Sequence, residues 1–289
     1  MSGTRGLVAH DVVRHDGAAA FLARAEPWLM EREDRNNLVL SLAYAKAAAA
    51  DHGTDTLFAT VEEGGGVVGC VIRTPPYKVL LTAMPLEAAG AVSACLAEAY
   101  ESLPAVLGPE PVAEAVAAAW VAVRGGRHRR GMRQRMYRLD RVLPPAGVEG
   151  RLRRAVLDDL ELAVEWSRGF ARDVGSLFAA SPRTIAAWIE HGHLFFWEIG
   201  QAVSTAVAHG RTPNGVRIGY VYTPAEHRGR GHASALVADL SGRMLDGGAR
   251  FCVLYTDLAN PTSNAIYQRV GYSPLEDVRD IDIVTESAS

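Results

Sequence analysis

Apolar positions recur at two spacings along this chain, and each change of spacing marks an element. Alternation and short apolar runs predict strands at about 56–61, 67–73, 77–83 and 132–140. Helical recurrence predicts helices near 16–29, 35–51, 86–101 and 111–124. Gly64-Gly65-Gly66 supplies a hairpin turn. The run Val142-Leu143-Pro144-Pro145-Ala146-Gly147-Val148 then breaks every regular pattern, so a boundary is expected between residues 1–143 and 149–289. Beyond it, strands are expected at 151–155, 194–199, 202–208, 216–222, 251–255 and 279–284, with helices at 157–168, 182–191, 233–245 and 261–270. Gly200-Gln201 ties two of those strands into an antiparallel hairpin. Both halves run helix, helix, antiparallel strands, strand, helix, strand, helix, strand. That order is an internal structural repeat. The expected fold class is α/β (α+β): two domains, each a mixed, mostly antiparallel sheet flanked by helices.

Composition narrows the setting. With 289 residues, 48% hydrophobic and 22% charged, the chain has material for two ordinary cores. A net charge of −3 gives no general affinity for nucleic acid or an anionic membrane, so any anion site must be local. Cys70, Cys95 and Cys252 are far apart and set in apolar runs, which supports neither a disulfide framework nor a zinc site; buried thiols in a reducing cytoplasm are expected. No signal peptide is expected from the first residues, and apolar stretches such as 112–123 are too short to span a bilayer.

One stretch carries chemistry: Tyr222-Thr223-Pro224-Ala225-Glu226-His227-Arg228-Gly229-Arg230-Gly231-His232-Ala233. It leaves a strand, turns at a proline and opens a helix. A helix start offers amides without partners and the positive end of a dipole. Glycines let an anion approach the backbone, and arginines add charged forks. Ala233, Leu236, Val237, Leu240 and Met244 then recur at helical spacing, which buries one face and fixes the anion cradle in place. After the next strand, Asn260-Pro261 reads as a strong helix start, with Asn260, Asn264 and Tyr267 stacked along one face and Gly271 as the stop.

Arg228-x-x-Gly231-x-Ala233, followed by Asn260, Asn264, Tyr267 and Gly271-Tyr272, resembles the GNAT superfamily of acetyl-coenzyme A-dependent N-acetyltransferases. The resemblance covers about 151–284. Residues 1–143 look like a second, degenerate copy: its corresponding turn, Thr82-Ala83-Met84-Pro85-Leu86, has no glycine and no cation. The resemblance implies a diphosphate held at Arg228, Gly229, Arg230, Gly231, His232, Ala233 and Ser234. It implies a pantetheine arm paired with Val221, Tyr222 and Thr223 and contacted by Asn260 and Asn264, with Tyr267 as general acid to the leaving thiolate. A backbone N–H near Val221–Tyr222 is expected to stabilise the oxyanion. The acceptor is expected to be a primary amine of a small molecule; a protein N-terminus or lysine is the alternative, as is a non-catalytic acyl-CoA sensor.

The general base stays open among Glu226, Asp257 and Glu276. A dinucleotide-binding reading of Gly229-x-Gly231 fails on its missing third glycine and on the antiparallel strands upstream. His191-Gly192-His193 has no third ligand and reads as a solvated turn, and Arg127-His128-Arg129-Arg130 reads as a solvated hairpin edge. Trp166, Phe170, Trp188, Phe195, Phe196 and Trp197 read mostly as core, with one or two walling an acceptor pocket.

Overall fold

The computed structural model describes residues 10–49, 55–175 and 179–284. Two compact units emerge, and they do not follow the linear sequence. One takes the chain through Arg135 and again from Glu276; the other is Met136–Leu275. The break at Pro144-Pro145 therefore falls inside the second unit.

The first unit contains β1 (Asp11–Arg14), α1 (Ala18–Met30), α2 (Glu33–Ala48), β2 (Leu57–Glu63), β3 (Gly66–Arg73), β4 (Val79–Leu81), α3 (Ala89–Ala99), β5 (Ala105–Pro109), α4 (Glu110–Arg124) and the start of β6 (Arg127–Leu139). The second holds the end of β6, then β7 (Arg151–Arg154), α5 (Leu160–Asp173), α6 (Pro182–Glu190), β8 (Leu194–Ile199), β9 (Gln201–His209), β10 (Gly215–Tyr222), α7 (His232–Asp246), β11 (Phe251–Asp257), α8 (Pro261–Val270) and the first residues of β12 (Ser273–Val284). The expected repeat is present as element order. Each series reads strand, two helices, three strands, helix, strand, helix, strand.

In the first unit the strands lie in the order β1-β2-β3-β4-β5-β12, and β12 pairs antiparallel with β5 from Val278–Pro109 to Asp282–Ala105. In the second the order is β7-β8-β9-β10-β11, with the end of β6 beside β11. Antiparallel pairing dominates; β4–β5 and β10–β11 are parallel. Ile281 and Ile283 of β12 are buried among Val106, Val116 and Trp120 of the first unit, and Tyr137 and Leu139 of β6 are buried in the core of the second.

Two strands were assigned no residues from the sequence, β1 and β5, although the expected order of elements calls for a strand where β5 lies. β5 is short and ends in Gly108-Pro109, punctuation that reads locally as a loop; its partners β4 and β12 come from remote sequence. Residues 127–130, expected at a solvated edge, belong to β6. They are exposed, as expected; on this strand Arg129 reaches Asp282 at 2.8 Å, Arg130 pairs with Glu114, and Arg133 meets Glu110 at 3.1 Å and Asp277 at 3.3 Å. Among the described residues no helix is long and apolar enough to cross a membrane, and no cluster of His, Cys, Asp and Glu is suited to a metal. Cys70, Cys95 and Cys252 are free and buried.

Candidate active site

β10 lies antiparallel to β9 and starts parallel to β11. Its pairing with β11 runs only from Gly215–Phe251 to Arg217–Val253, although the two strands continue to Tyr222 and Asp257. They splay beyond Arg217. On the β9 side the register slips between Gly219–Val207 and Tyr222–Thr205, so β10 carries one extra residue there. Tyr220, inside this bulge, adopts φ 50, a conformation bulky side chains rarely take. Bulges re-aim backbone groups, and an outlier of this kind is maintained only by its surroundings. Ser204 supplies part of that: its hydroxyl donates to the Tyr222 carbonyl at 3.0 Å and lies 2.8 Å from the Thr223 hydroxyl. Val221 turns its side chain to the core, and Tyr222 packs edge-on to Trp166 at 6.2 Å between ring centroids.

From Tyr222 the chain passes through a short helical turn at Ala225–His227 into α7. Gly231 is the N-cap, in the left-handed conformation at φ 83, and brings no side chain to the helix end. A Cβ there would stand 3.1 Å from a Val148 methyl, so glycine meets both a backbone and a spatial requirement. The first amides of α7, on His232, Ala233 and Ser234, thus lack intrahelical partners, in the arrangement that suits an anion. Behind them Leu236, Val237 and Leu240 are fully buried, each worth about 1.5–3 kcal/mol in anchoring the helix. Gly248 and Ala249 close it, donating to Leu245 and Met244 carbonyls.

The side chains of this turn differ in availability. Gly229 and Arg230 are exposed. Arg228 is bonded back to the Thr223 carbonyl at 2.8 Å and ion-paired with Asp173 at the end of α5. The sequence carried no sign of that partner. His232 is buried, its Nδ1 has no partner among the described residues, and burial followed by Arg230 and His227 lowers its pKa. It adds no charge at neutral pH.

On the other side, α8 starts as expected: Asn260 accepts from the Ser263 N–H at 3.0 Å and Pro261 takes the first position. The Asn264 side chain is engaged within the protein. Its amide donates to the carbonyls of Asp257 at 2.8 Å and Asn260 at 2.7 Å, and its oxygen accepts from the Tyr137 hydroxyl at 2.9 Å. Gln268 donates to the same hydroxyl at 3.1 Å. Tyr137 sits on β6, and nothing local to either sequence links it to Asn264. Gly271 ends α8 at φ 110, where a Cβ would meet the Arg141 carbonyl at 2.6 Å.

Tyr267 faces inward. Its ring packs against Tyr137 and Tyr272, with centroids 6.4 and 6.0 Å away, and burial pushes its pKa up to about 12. Among the described residues its hydroxyl has no hydrogen-bond partner. Of the base candidates, Asp257 accepts from the Ala259 N–H at 2.9 Å and shapes the loop, and Glu226 is exposed. Glu276 lies in the first unit, 3.6 Å from Arg35, its pKa raised chiefly by burial. His191 and His193 stack at 5.8 Å.

Beside the bulge is a small hollow, with about 20 Å³ of free space, between α5, α6 and the strands β8–β10. Trp166, Phe170 and Trp188, read from sequence as mostly core, line it together with Ile185, Tyr220 and Tyr222. Phe195 and Trp197 belong instead to the core on the α7 side of the sheet.

The sequence profile of the Acetyltransferase (GNAT) family matches residues 161–272. No curated protein matches the chain. Among solved structures, a GNAT-family acetyltransferase from Colwellia psychrerythraea is similar over 95% of this chain and 100% of its own, with a TM-score of 0.59 and 12% identity. A GCN5-related N-acetyltransferase from Sphaerobacter thermophilus covers 99% of this chain and 98% of its own at TM-score 0.58 and 15% identity. A tandem GNAT protein from the clavulanic acid biosynthesis pathway covers 97% and 100% at TM-score 0.53 and 14% identity. At such identities the likeness to these structures is one of fold.

Proposed function

Residues 161–272 form a GNAT acetyltransferase domain, and from that premise we propose that the protein transfers an acetyl group from acetyl-CoA to a primary amine of a small molecule. The observation that carries this reading is the splay of β10 from β11 beside a helix whose glycine cap leaves its first amides open. The residues fit the donor: Gly231 caps the helix in left-handed backbone with no side chain at its start, and the unpartnered Nδ1 of His232 lies buried at the same helix end. The amides of Gly229–Ser234 and the Arg230 guanidinium would hold the diphosphate, with Arg228 joining once it leaves Asp173. The free edge of β10 at Val221–Thr223 would pair with the pantetheine amides as an added strand.

Bound acetyl-CoA supplies an activated thioester. A backbone N–H of the bulge stabilises negative charge developing on the carbonyl oxygen. Tyr267, held protonated by burial, gives its proton to the departing sulfur. Asn264, with its amide committed to Asp257, Asn260 and Tyr137, positions the loop from which Tyr267's helix begins. The first unit is proposed to be a degenerate copy of the same fold. Three buried, unpaired thiols suit a reducing, cytoplasmic setting.

The test is thermal unfolding with acetyl-CoA and with NAD, paired with thiol release over an amine panel. Acetyl-CoA, not NAD, is expected to raise the midpoint, and at least one amine to release thiol. Protection without release under any amine would favour an acyl-CoA sensor; no protection would refute the reading.

A further inference from the structure

Asp257 shapes its own loop and Glu226 is exposed, but an imidazole lies against β10 itself. Resting on the acetyl-transfer reading, we propose that His209, the last residue of β9, is the general base that takes the proton of the acceptor amine, directly or through one water. His209 stands opposite Arg217 in the β9–β10 ladder, so both side chains leave the same face of the sheet. Val216 and Ile218 enter the α7 core, and Arg217 and Gly219 alternate to the other side. Trp188 of α6 covers that side.

The His209 ring extends along β10 towards the bulge. A Cβ at Gly219 would stand 3.1 Å from its Nε2, so glycine is what lets the imidazole lie over the strand. Gly219 is the last paired residue before the bulge, and it lies past the end of the β11 pairing, where the two strands part. Trp188 and Tyr220 meet the ring edge-on, with centroids 5.9 and 6.5 Å away. The imidazole is thus beside the backbone proposed to stabilise the oxyanion, where an attacking nitrogen must arrive. His209 is only partly buried, and among the described residues neither ring nitrogen has a hydrogen-bond partner.

Its charge state suits the task. Burial, then the Arg217 guanidinium and the His193 imidazole, lower its pKa well below the ordinary value of about 6.5, so it is neutral at pH 7. Those two are the charged or titratable groups acting on it; the other neighbours, Trp188 and Tyr220, present rings. The guanidinium also disfavours an ammonium at this spot and a lasting imidazolium. In the step, the acceptor nitrogen bonds to the acetyl carbon and gives its proton to a ring nitrogen of His209. The C–S bonding pair leaves with the sulfur, which Tyr267 protonates. The imidazolium then releases its proton to water and Tyr267 takes one back.

The experiment follows acetyl-CoA binding by calorimetry and thiol release with ethylamine, benzylamine and hydroxylamine, from about pH 7 to about pH 10. Wild type is compared with His209→Gln and His209→Ala. Both variants should bind acetyl-CoA as wild type does, while kcat with ethylamine or benzylamine falls roughly 10²–10⁴-fold at neutral pH. The deficit should narrow as the pH nears an alkylamine's own pKa, about 10. It should be smaller with hydroxylamine, which is already neutral at pH 7. Added imidazole should restore turnover to His209→Ala and leave wild type unchanged, a response that a packing role would not give. If His209→Ala does not fold, the pH dependence of His209→Gln decides. Undiminished kcat, or a deficit equal at every pH and untouched by imidazole, overturns the inference and leaves acetyl transfer standing. Acetyl-CoA binding without thiol release from any of the three amines overturns it too, and failure to bind acetyl-CoA sinks acetyl transfer itself.

Discussion

Tyr267 combines a packed ring with an unbonded hydroxyl, and the two parts separate by substitution. Tyr267→Phe keeps the contacts to Tyr137 and Tyr272, so the folded state and acetyl-CoA affinity should be retained. Turnover should fall by roughly 10²–10⁴-fold if proton donation is slow; unchanged kcat would make the residue one of packing only. A raised phenol pKa also has a stability consequence. The unfolded tyrosine ionises near about 10, and the folded one at about 12. The folded state is favoured fully below pH 10 and loses this contribution as pH rises from 10 towards 12. Chemical unfolding across that window should show the loss in wild type and less of it in Tyr267→Phe. Asn264 gives a contrasting case: Asn264→Ala removes three side-chain hydrogen bonds and leaves the Tyr137 O–H without its acceptor, while the Asp257 and Asn260 carbonyls keep backbone N–H partners, and should cost about 1–3 kcal/mol, measured by urea unfolding. That Tyr267 lies on a helix capped by Asn260 was legible in the sequence. The engaged state of the Asn264 amide was not, because its partner Tyr137 lies 127 residues away along the chain.

At the scale of elements, α7 is the one on which the site depends. Gly231→Ala forces a Cβ into left-handed backbone, costing about 1–2 kcal/mol, and sets it against Val148. Thermal unfolding should show that loss, and acetyl-CoA should bind more weakly. The Arg228–Asp173 pair points the other way. Asp173→Asn should free Arg228 and tighten acetyl-CoA binding severalfold, with a steeper dependence on salt; unchanged affinity would mean the guanidinium never reaches the phosphates. α7 and α8 were readable because their signals are local: Gly231, Asn260-Pro261, Gly248 and Gly271 act within a turn of where they stand. The bulge at Tyr220 was not readable, since an alternating run from Val216 to Tyr222 looks the same with or without an extra residue opposite β9.

For the whole molecule, the decisive fact is where the last strand goes. Residues 276–284 complete the sheet of the first unit beside β5, and Ile281 and Ile283 fill its core. Deleting residues 276–289 should therefore damage the first unit rather than the site. Hydrogen exchange should show lost protection in β4 and β5 while α7 and β10 stay protected; uniform protection would refute the strand's role. By itself the sequence determined the repeat of elements, the mostly antiparallel sheets and the glycine-rich helix start, because periodicity and capping are set by neighbours along the chain. Tertiary structure alone decided which unit each final strand joins, that Asp173 holds Arg228, and that Trp166 and Trp188 pack in one core while Phe195 and Trp197 pack in another. Those outcomes depend on which remote groups pair and pack, and local pattern carries no record of the partner.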